Sequence, residues 1–274
     1  MESIALLLAG FIIGTFGTLI GAGGGFILVP LLLLFYPALG PEVTTAISIA
    51  VVAVNALSGS VAYARSGRID YRAGIVFALY TIPGSILGVL TVQYIPQHSF
   101  NTIIGMLLVL LASYLVYKNA THKVCMNRIV LKKGFQEHIL TDSTGTTYHY
   151  SYNPVNGNIV SLLVGYISPL LGIGGGIIHV PAMVNWLKFP VHIATATSHF
   201  ILAVMATASV VTHACKGTYN EPHVLHMVLF IALGVIPGAQ LGAFLSHKIK
   251  SNVILQVLAL CLAIVGIRIL ITSL

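Results

Sequence analysis

Apolar residues fill most of this chain, and polar residues interrupt them at regular intervals. Apolar segments run near 4–36, 44–64, 73–95, 99–118, 156–187, 192–214, 224–246 and 251–272. Several reach the length of about 20 residues that a spanning helix needs. No stretch shows the alternating segments of about 10 residues that build a membrane β-barrel. The pattern predicts an all-α polytopic membrane protein. Residues 119–155 form the one long polar connection. Within it, Asp142-Ser143-Thr144-Gly145-Thr146 is a turn signal between short β-prone stretches, so a small β-hairpin outside the membrane is expected there.

Two of the apolar segments are too long for one crossing. A helix over 4–36 would measure about 50 Å, against a hydrocarbon core of about 30 Å. Each carries a glycine cluster at its middle. Gly21-Ala22-Gly23-Gly24-Gly25 is followed by Val29-Pro30, and Gly172-Ile173-Gly174-Gly175-Gly176 by Val180-Pro181. Glycine weakens a helix by about 1 kcal/mol per residue relative to alanine, so each cluster predicts a break.

The repetition continues in order. Thr45-Ala46-Ile47-Ser48 corresponds to Thr195-Ala196-Thr197-Ser198, Ala53-Val54 to Ala203-Val204, and Gly67 to Gly217. Ile82-Pro83-Gly84 with Gly88 corresponds to Ile236-Pro237-Gly238 with Gly242. Shared apolar composition does not explain matched Gly, Pro and Ser positions. Three regions follow: a first transmembrane repeat over 1–118, the connection 119–155, and a second repeat over 156–274. If each broken segment is a re-entrant hairpin, the halves are inverted; if each is one tilted crossing, they are parallel.

Composition agrees with this class. The chain has 57% hydrophobic and 7% charged residues, where soluble domains carry about 25% charged. The formal charge is +7. Arg65, Arg68, Arg72, Lys118, Lys123, Arg128, Lys132 and Lys133 crowd into 65–72 and 118–133. The positive-inside rule places those connections in the cytoplasm. The charge reads as topogenic and lipid-attracting, and no nucleic-acid partner is expected. Cys125, Cys215 and Cys261 give no disulfide or metal framework. Glu221-Pro222-His223 with His226 is only faintly metal-like, and no metal or other cofactor is expected.

The candidate chemistry lies at the breaks. A short helix beginning at a glycine cluster exposes unpaired N–H groups and a partial positive charge. Gly23, Gly24, Gly25, Gly174, Gly175 and Gly176 are therefore candidate backbone cradles for an anion. The competing reading is that these glycines only permit close helix packing, the role assigned to Gly84, Gly88, Gly238 and Gly242. Thr45, Ser48, Asn55 and Gly59 recur at helical spacing, and Thr195, Ser198, His199, Ser209 and His213 share a face in the second repeat. Thr45, Ser48, Asn55, Thr195, Ser198 and His199 are candidate substrate-lining residues; interhelical hydrogen bonding is the plainer alternative for each. His179 and His199 stand where the first repeat has Leu28 and Ile49, and are candidates for proton coupling. The glycine cluster is not a dinucleotide fingerprint, because no βαβ unit surrounds it, and the chain has no P-loop.

These residues resemble the sulfite exporter TauE/SafE family of membrane transporters. The resemblance covers both repeats and rests on 21–25, Val29-Pro30, Thr45, Ser48, Gly67 and their second-repeat counterparts. It implies a secondary carrier, often working outward, for sulfite, sulfoacetate or a related organosulfonate, in the plasma membrane and without enzymatic activity. An uncoupled anion channel, or a carrier for another small organic acid, is the alternative. The candidate partners are a small anionic substrate, the lipid bilayer, a coupling proton or sodium ion, and a second copy of the chain.

Overall fold

The structure is a computed structural model, described here over residues 2–121, 135–246 and 251–273. Lys123, Cys125, Arg128, Lys132 and Lys133 lie outside the described residues, as do His247, Lys248 and Lys250. The chain is mostly helical. In order come α1 (Glu2–Ile20), α2 (Gly25–Phe35), α3 (Pro41–Arg65), α4 (Tyr71–Val92) and α5 (Gln97–Thr121). A hairpin of β1 (Gln136–Thr141) and β2 (Thr147–Tyr152) follows. Then come α6 (Pro154–Leu171), α7 (Gly176–Asn185), α8 (Val191–Cys215), α9 (Pro222–Ser246) and α10 (Ser251–Ser273).

Both long apolar segments break at their glycines, giving α1 with α2 and α6 with α7. Among the described residues, α1, α3, α4, α6, α8 and α9 are long and apolar enough to cross a membrane. Helix starts follow local chemistry. Pro41 opens α3, where its missing N–H does no harm. Asp70 caps α4 by accepting from the Ala73 N–H at 3.0 Å. Asn153 caps α6 the same way, accepting from the Val155 N–H at 3.0 Å.

Helices pair mainly with distant partners. α1 lies along α9, α4 along α6, and α5 along α10. α3 and α8 form the centre: 67% and 72% of their spanning windows are buried, against 39–44% in the other spans. They run in opposite directions. Glu42, at the start of α3, pairs with Lys216, just past the end of α8. At the other end, the Asp70 N–H donates to Thr197 Oγ1 near the start of α8, at 3.0 Å.

Small residues let the outer pairs close. A Cβ at Gly84 would stand 2.5 Å from the Leu162 carbonyl oxygen, and one at Gly165 would stand 2.5 Å from that of Thr81. α4 and α6 therefore touch backbone to backbone. On α1 and α9, a Cβ at Gly14 would stand 2.7 Å from the Val235 carbonyl oxygen, and Gly238 and Gly242 abut the carbonyls of Phe11 and Thr15. In lipid, where burying apolar surface gives little drive, such close packing replaces the hydrophobic effect between helices.

The hairpin is antiparallel, with Gln136 opposite Tyr152 and Thr141 opposite Thr147. Its turn closes through Asp142, whose Oδ1 accepts from the N–H groups of Thr144 at 2.9 Å and Thr146 at 3.1 Å. It docks on the α3–α4 connection. Arg68 Nε donates to Asp142 Oδ2 at 3.1 Å, and the Ser143 N–H donates to the Ser66 carbonyl at 3.0 Å. Tyr150 donates to Asp70 Oδ2 at 2.6 Å, and His138 Nδ1 lies 2.7 Å from the same oxygen. The Tyr150 and Tyr152 rings sit 4.7 and 4.9 Å from Phe189, between α7 and α8.

A candidate anion site at two facing glycine turns

The two breaks meet. A Cβ on Gly25 would stand 2.5 Å from the Gly172 carbonyl, and one on Gly174 would stand 2.6 Å from that of Ala22. Gly176 packs against the Gly21 carbonyl in the same way. Only glycine allows two backbones this close. Packing is thus one real function of these residues.

The same turns leave donors over. In the first, the N–H of Gly21 goes to Thr18, and those of Ala22 and Gly23 go to Gly17. Pairing resumes when Ile27 and Leu28 donate to the Gly24 carbonyl. Among the described residues, no backbone acceptor takes the N–H of Gly24, Gly25 or Phe26. In the second turn the Gly172 N–H goes to Pro169, and pairing resumes at Ile177. The N–H groups of Ile173, Gly174, Gly175 and Gly176 are left the same way. Two short helices, α2 and α7, begin at these donors, and their N-terminal ends add partial positive charge.

α3 and α8 supply the side chains around the turns. Ser48 donates to the Gly172 carbonyl at 2.6 Å, tying α3 to the opposite turn. Its counterpart Ser198 is buried, and its hydroxyl has no hydrogen-bond partner. Thr45 and Thr195 bond back onto their own helices, to the carbonyls of Glu42 at 3.0 Å and Val191 at 2.8 Å. Their methyl groups pack on the opposite glycines, Thr45 on Gly172 and Thr195 on Gly21. Those two threonines therefore shape the turns, with their hydroxyls already engaged.

Asn55 and His199 come together across the α3–α8 centre. Asn55 Oδ1 accepts from Thr18 Oγ1 at 2.8 Å, and the Asn55 amide nitrogen has no partner. His199 Nε2 lies 3.4 Å from both Thr18 Oγ1 and the Asn55 carbonyl, and its Nδ1 has no partner. Gly59 makes room for this ring: a Cβ there would stand 2.5 Å from Nε2. Tyr63 meets the His199 ring edge-on at 5.7 Å and donates to the Thr18 carbonyl at 2.7 Å. All these groups are buried. An orphaned buried polar group costs about 1–3 kcal/mol, so the orphans gathered here call for a ligand or water.

The contacts of His179 lie elsewhere. Its Nε2 lies 3.1 Å from Ser161 Oγ on α6, and its ring meets Phe77 of α4 at 6.2 Å. The two histidines singled out by the sequence thus occupy different surroundings. Thr18 and Tyr63 belong to the central node but do not stand out in the sequence. Their counterparts by repeat spacing, Pro169 and His213, differ from them, so the duplication gives no signal.

The comparison with known proteins agrees with this architecture. The sequence model of the sulfite exporter TauE/SafE family matches residues 6–269. The chain belongs to that family. Among relatives of this TauE/SafE member is the "Probable membrane transporter protein YunE" of Bacillus subtilis. It is 30% identical over 280 residues, covering 98% of each chain. The "Probable membrane transporter protein MJ0441" of Methanocaldococcus jannaschii is 24% identical over 272 residues, covering 96% of this chain and 93% of its own. No solved structure matches. The TauE/SafE chain is a multi-pass protein of a membrane transporter family.

Proposed function

We propose that this protein is a secondary transporter in the plasma membrane that moves a small sulfur-containing anion outward. The family's description as a sulfite exporter favours sulfite, sulfoacetate or another organosulfonate as that anion. The anion is held at mid-membrane between the N-terminal ends of α2 and α7. The observation that carries this reading is the row of N–H groups at 24–26 and 173–176 that have no backbone acceptor among the described residues, on turns that touch each other. Aligned amides at a helix start favour a negatively charged oxygen. Ser198, Asn55 and His199 add donors beside them. A proton on His199 would offset the anion's charge during transfer.

The proposal includes inverted halves, which the antiparallel run of α3 and α8 supports. α3 and α8 occupy equivalent places in the two repeats, and their opposite ends meet through Glu42–Lys216 and Asp70–Thr197. Transporters built this way place their sites where the broken helices converge.

Gly175→Ala is the decisive variant. Gly175 has φ −59°, so a side chain is allowed there, and a Cβ would lie 3.2 Å from both Met205 Cε and Val164 Cγ1. The fold should tolerate it with a small shift of the turn, which moves the N–H donors off the anion. Purified protein should be stabilised by sulfite or sulfoacetate in a thermal-shift titration, because a ligand that binds the folded state raises its stability. Gly175→Ala keeps the N–H but displaces it, and should weaken that binding about tenfold, close to the strength of one hydrogen bond to a charged group. Wild-type affinity in a folded Gly175→Ala protein would reduce the turns to packing elements.

A further inference from the structure

An open cavity lies away from the glycine turns. It is a groove of about 470 Å³ between α3, α4 and α8, and its walls are almost wholly apolar. Leu57, Val61, Tyr71, Phe200 and Ala203 line it. Leu57 and Val61 are about half exposed, so the groove opens sideways to the surrounding lipid. Its size falls within the range of small-ligand sites, roughly 300–1,000 Å³.

Two further features say what fills it. Ser60 also lines the groove; it is 9% exposed and its hydroxyl has no hydrogen-bond partner. The groove's lining residues Ala64 and Tyr71 are each followed in the chain by an exposed arginine, Arg65 and Arg72, at the α3–α4 connection. Arg68 between them is buried and committed to Asp142. Arg65 and Arg72 take part in no ion pair among the described residues. Along α3, Ser60 is about 7.5 Å deeper than Arg65, and Leu57 about 12 Å deeper. Going inward, the order is positive charge, one hydroxyl donor, then hydrocarbon. A phospholipid in the cytoplasmic leaflet has the matching order: phosphate, glycerol ester, acyl chain. Positive residues at this edge also place it at the cytoplasmic face.

We propose that this groove binds one acidic phospholipid, with its phosphate at Arg65 and Arg72, its ester carbonyl accepting from Ser60, and its acyl chain between α3 and α8. Basic pockets between spanning helices on the cytoplasmic side suit acidic headgroups. The lipid rests on the two helices that form the centre of the fold, and its occupancy bears on how they pack.

The test uses full-length protein in detergent, titrated with dioleoylphosphatidylglycerol or dioleoylphosphatidylcholine. Native mass spectrometry counts the lipids retained. The phosphatidylglycerol adduct should persist with about 30-fold preference, for two basic groups at about 1 kcal/mol each. The double variant Arg65→Gln, Arg72→Gln should erase the preference, and Ser60→Ala should lower retention of both lipids. Equal retention of the two lipids by the wild type would overturn the proposal. So would full displacement by glycerol phosphate, which would mean a free phosphate site without a chain slot. A dimer that Val61→Trp dissociates in lipid-free detergent would give the groove to a second copy instead.

Discussion

The two glycine turns share a sequence pattern but not a conformation. Gly21 and Gly172, and Gly23 and Gly174, have φ between 68° and 78° in both turns. The next pair diverges. Gly24 is left-handed at φ 83°, whereas Gly175 is right-handed at φ −59°. The side chains beside them diverge as well. Ser48 is bonded to the opposite turn, while Ser198 has no partner. Ile49 of the first repeat becomes His199 in the second. Ser48 of α3 therefore fastens the second turn, and no matching bond from Ser198 of α8 fastens the first. Both halves keep unpartnered polar groups near the centre, Asn55 on α3 and Ser198 and His199 on α8, but only α8 carries an ionisable one.

The largest effect should come from the left-handed position in the first turn. Gly24→Ala puts a Cβ 2.6 Å from the Ile13 side chain, at a φ that L-residues avoid. It should destabilise the protein by about 2–5 kcal/mol through left-handed strain and overpacking. Gly175→Ala should stay within about 1 kcal/mol of wild type. Melting temperatures of the purified variants measure the difference, and equal losses would erase the distinction between the turns.

The ends of the central helix pair differ in the same spirit. One end is closed by the half-buried pair Glu42–Lys216, the other by the docked hairpin. Burial works to raise the Asp142 carboxyl, but hydrogen bonds from Thr144, Thr146 and Arg68 outweigh it and hold it at about 2, below its ordinary 3.8. A depressed carboxyl stabilises fully above its free value and loses that contribution as pH falls through its folded value. Docking should therefore weaken from about pH 4 to pH 2. The effect should be on the order of 1–2 kcal/mol, reduced by screening at the water boundary. Hydrogen exchange at the Thr144 and Thr146 amides should report it, and Asp142→Asn should abolish the acid dependence.

A smaller contrast separates the two serines. Ser48→Ala removes a buried bond to the Gly172 carbonyl and should lower stability by about 1 kcal/mol. Ser198→Ala removes no bond. It should leave the melting temperature within error and weaken anion binding several-fold. A Ser198→Ala protein with wild-type anion affinity would take this residue out of the site.

His199 gives the subtlest comparison. Anion affinity should rise as pH falls from about 8.5 to 5.5, after correction for the anion's own titration, if His199 takes up a proton with the substrate. His199→Gln should flatten that slope, while His179→Gln, whose contacts lie on α4 and α6, should change it little. A flat wild-type slope would leave His199 a structural hydrogen-bonding residue.

Much of the fold was legible because its signals are local. The glycine clusters mark the ends of α1 and α6, and the Asp142–Thr146 sequence marks the hairpin turn. The site was legible in part. Sequence periodicity put Asn55, Ser198 and His199 on facing stripes, but it also ranked Thr45 and Thr195 as donors. A hydroxyl bonded to its own helix looks the same in sequence as one facing a ligand. Thr18 escaped notice because it stands alone at the end of an apolar helix. The pairing of α1 with α9 and α4 with α6 was not legible either. Helices in lipid carry no strong polar face to show which side meets a neighbour, so only the glycines hint at it.

That pairing has a consequence for how the protein is made. The face of α1 that fits Gly234, Gly238 and Gly242 has no partner until α9 has been synthesised, about 200 residues later. At 5–20 residues per second this is a delay of roughly 10–40 s. During that interval the first repeat sits in the bilayer with its glycine face against lipid or insertion machinery. α6 has a shorter wait, because α4 already precedes it. The newborn chain should therefore be most vulnerable to membrane proteases before its second repeat is complete, and a truncation before α9 should be cleared rather than accumulate as a stable half-transporter.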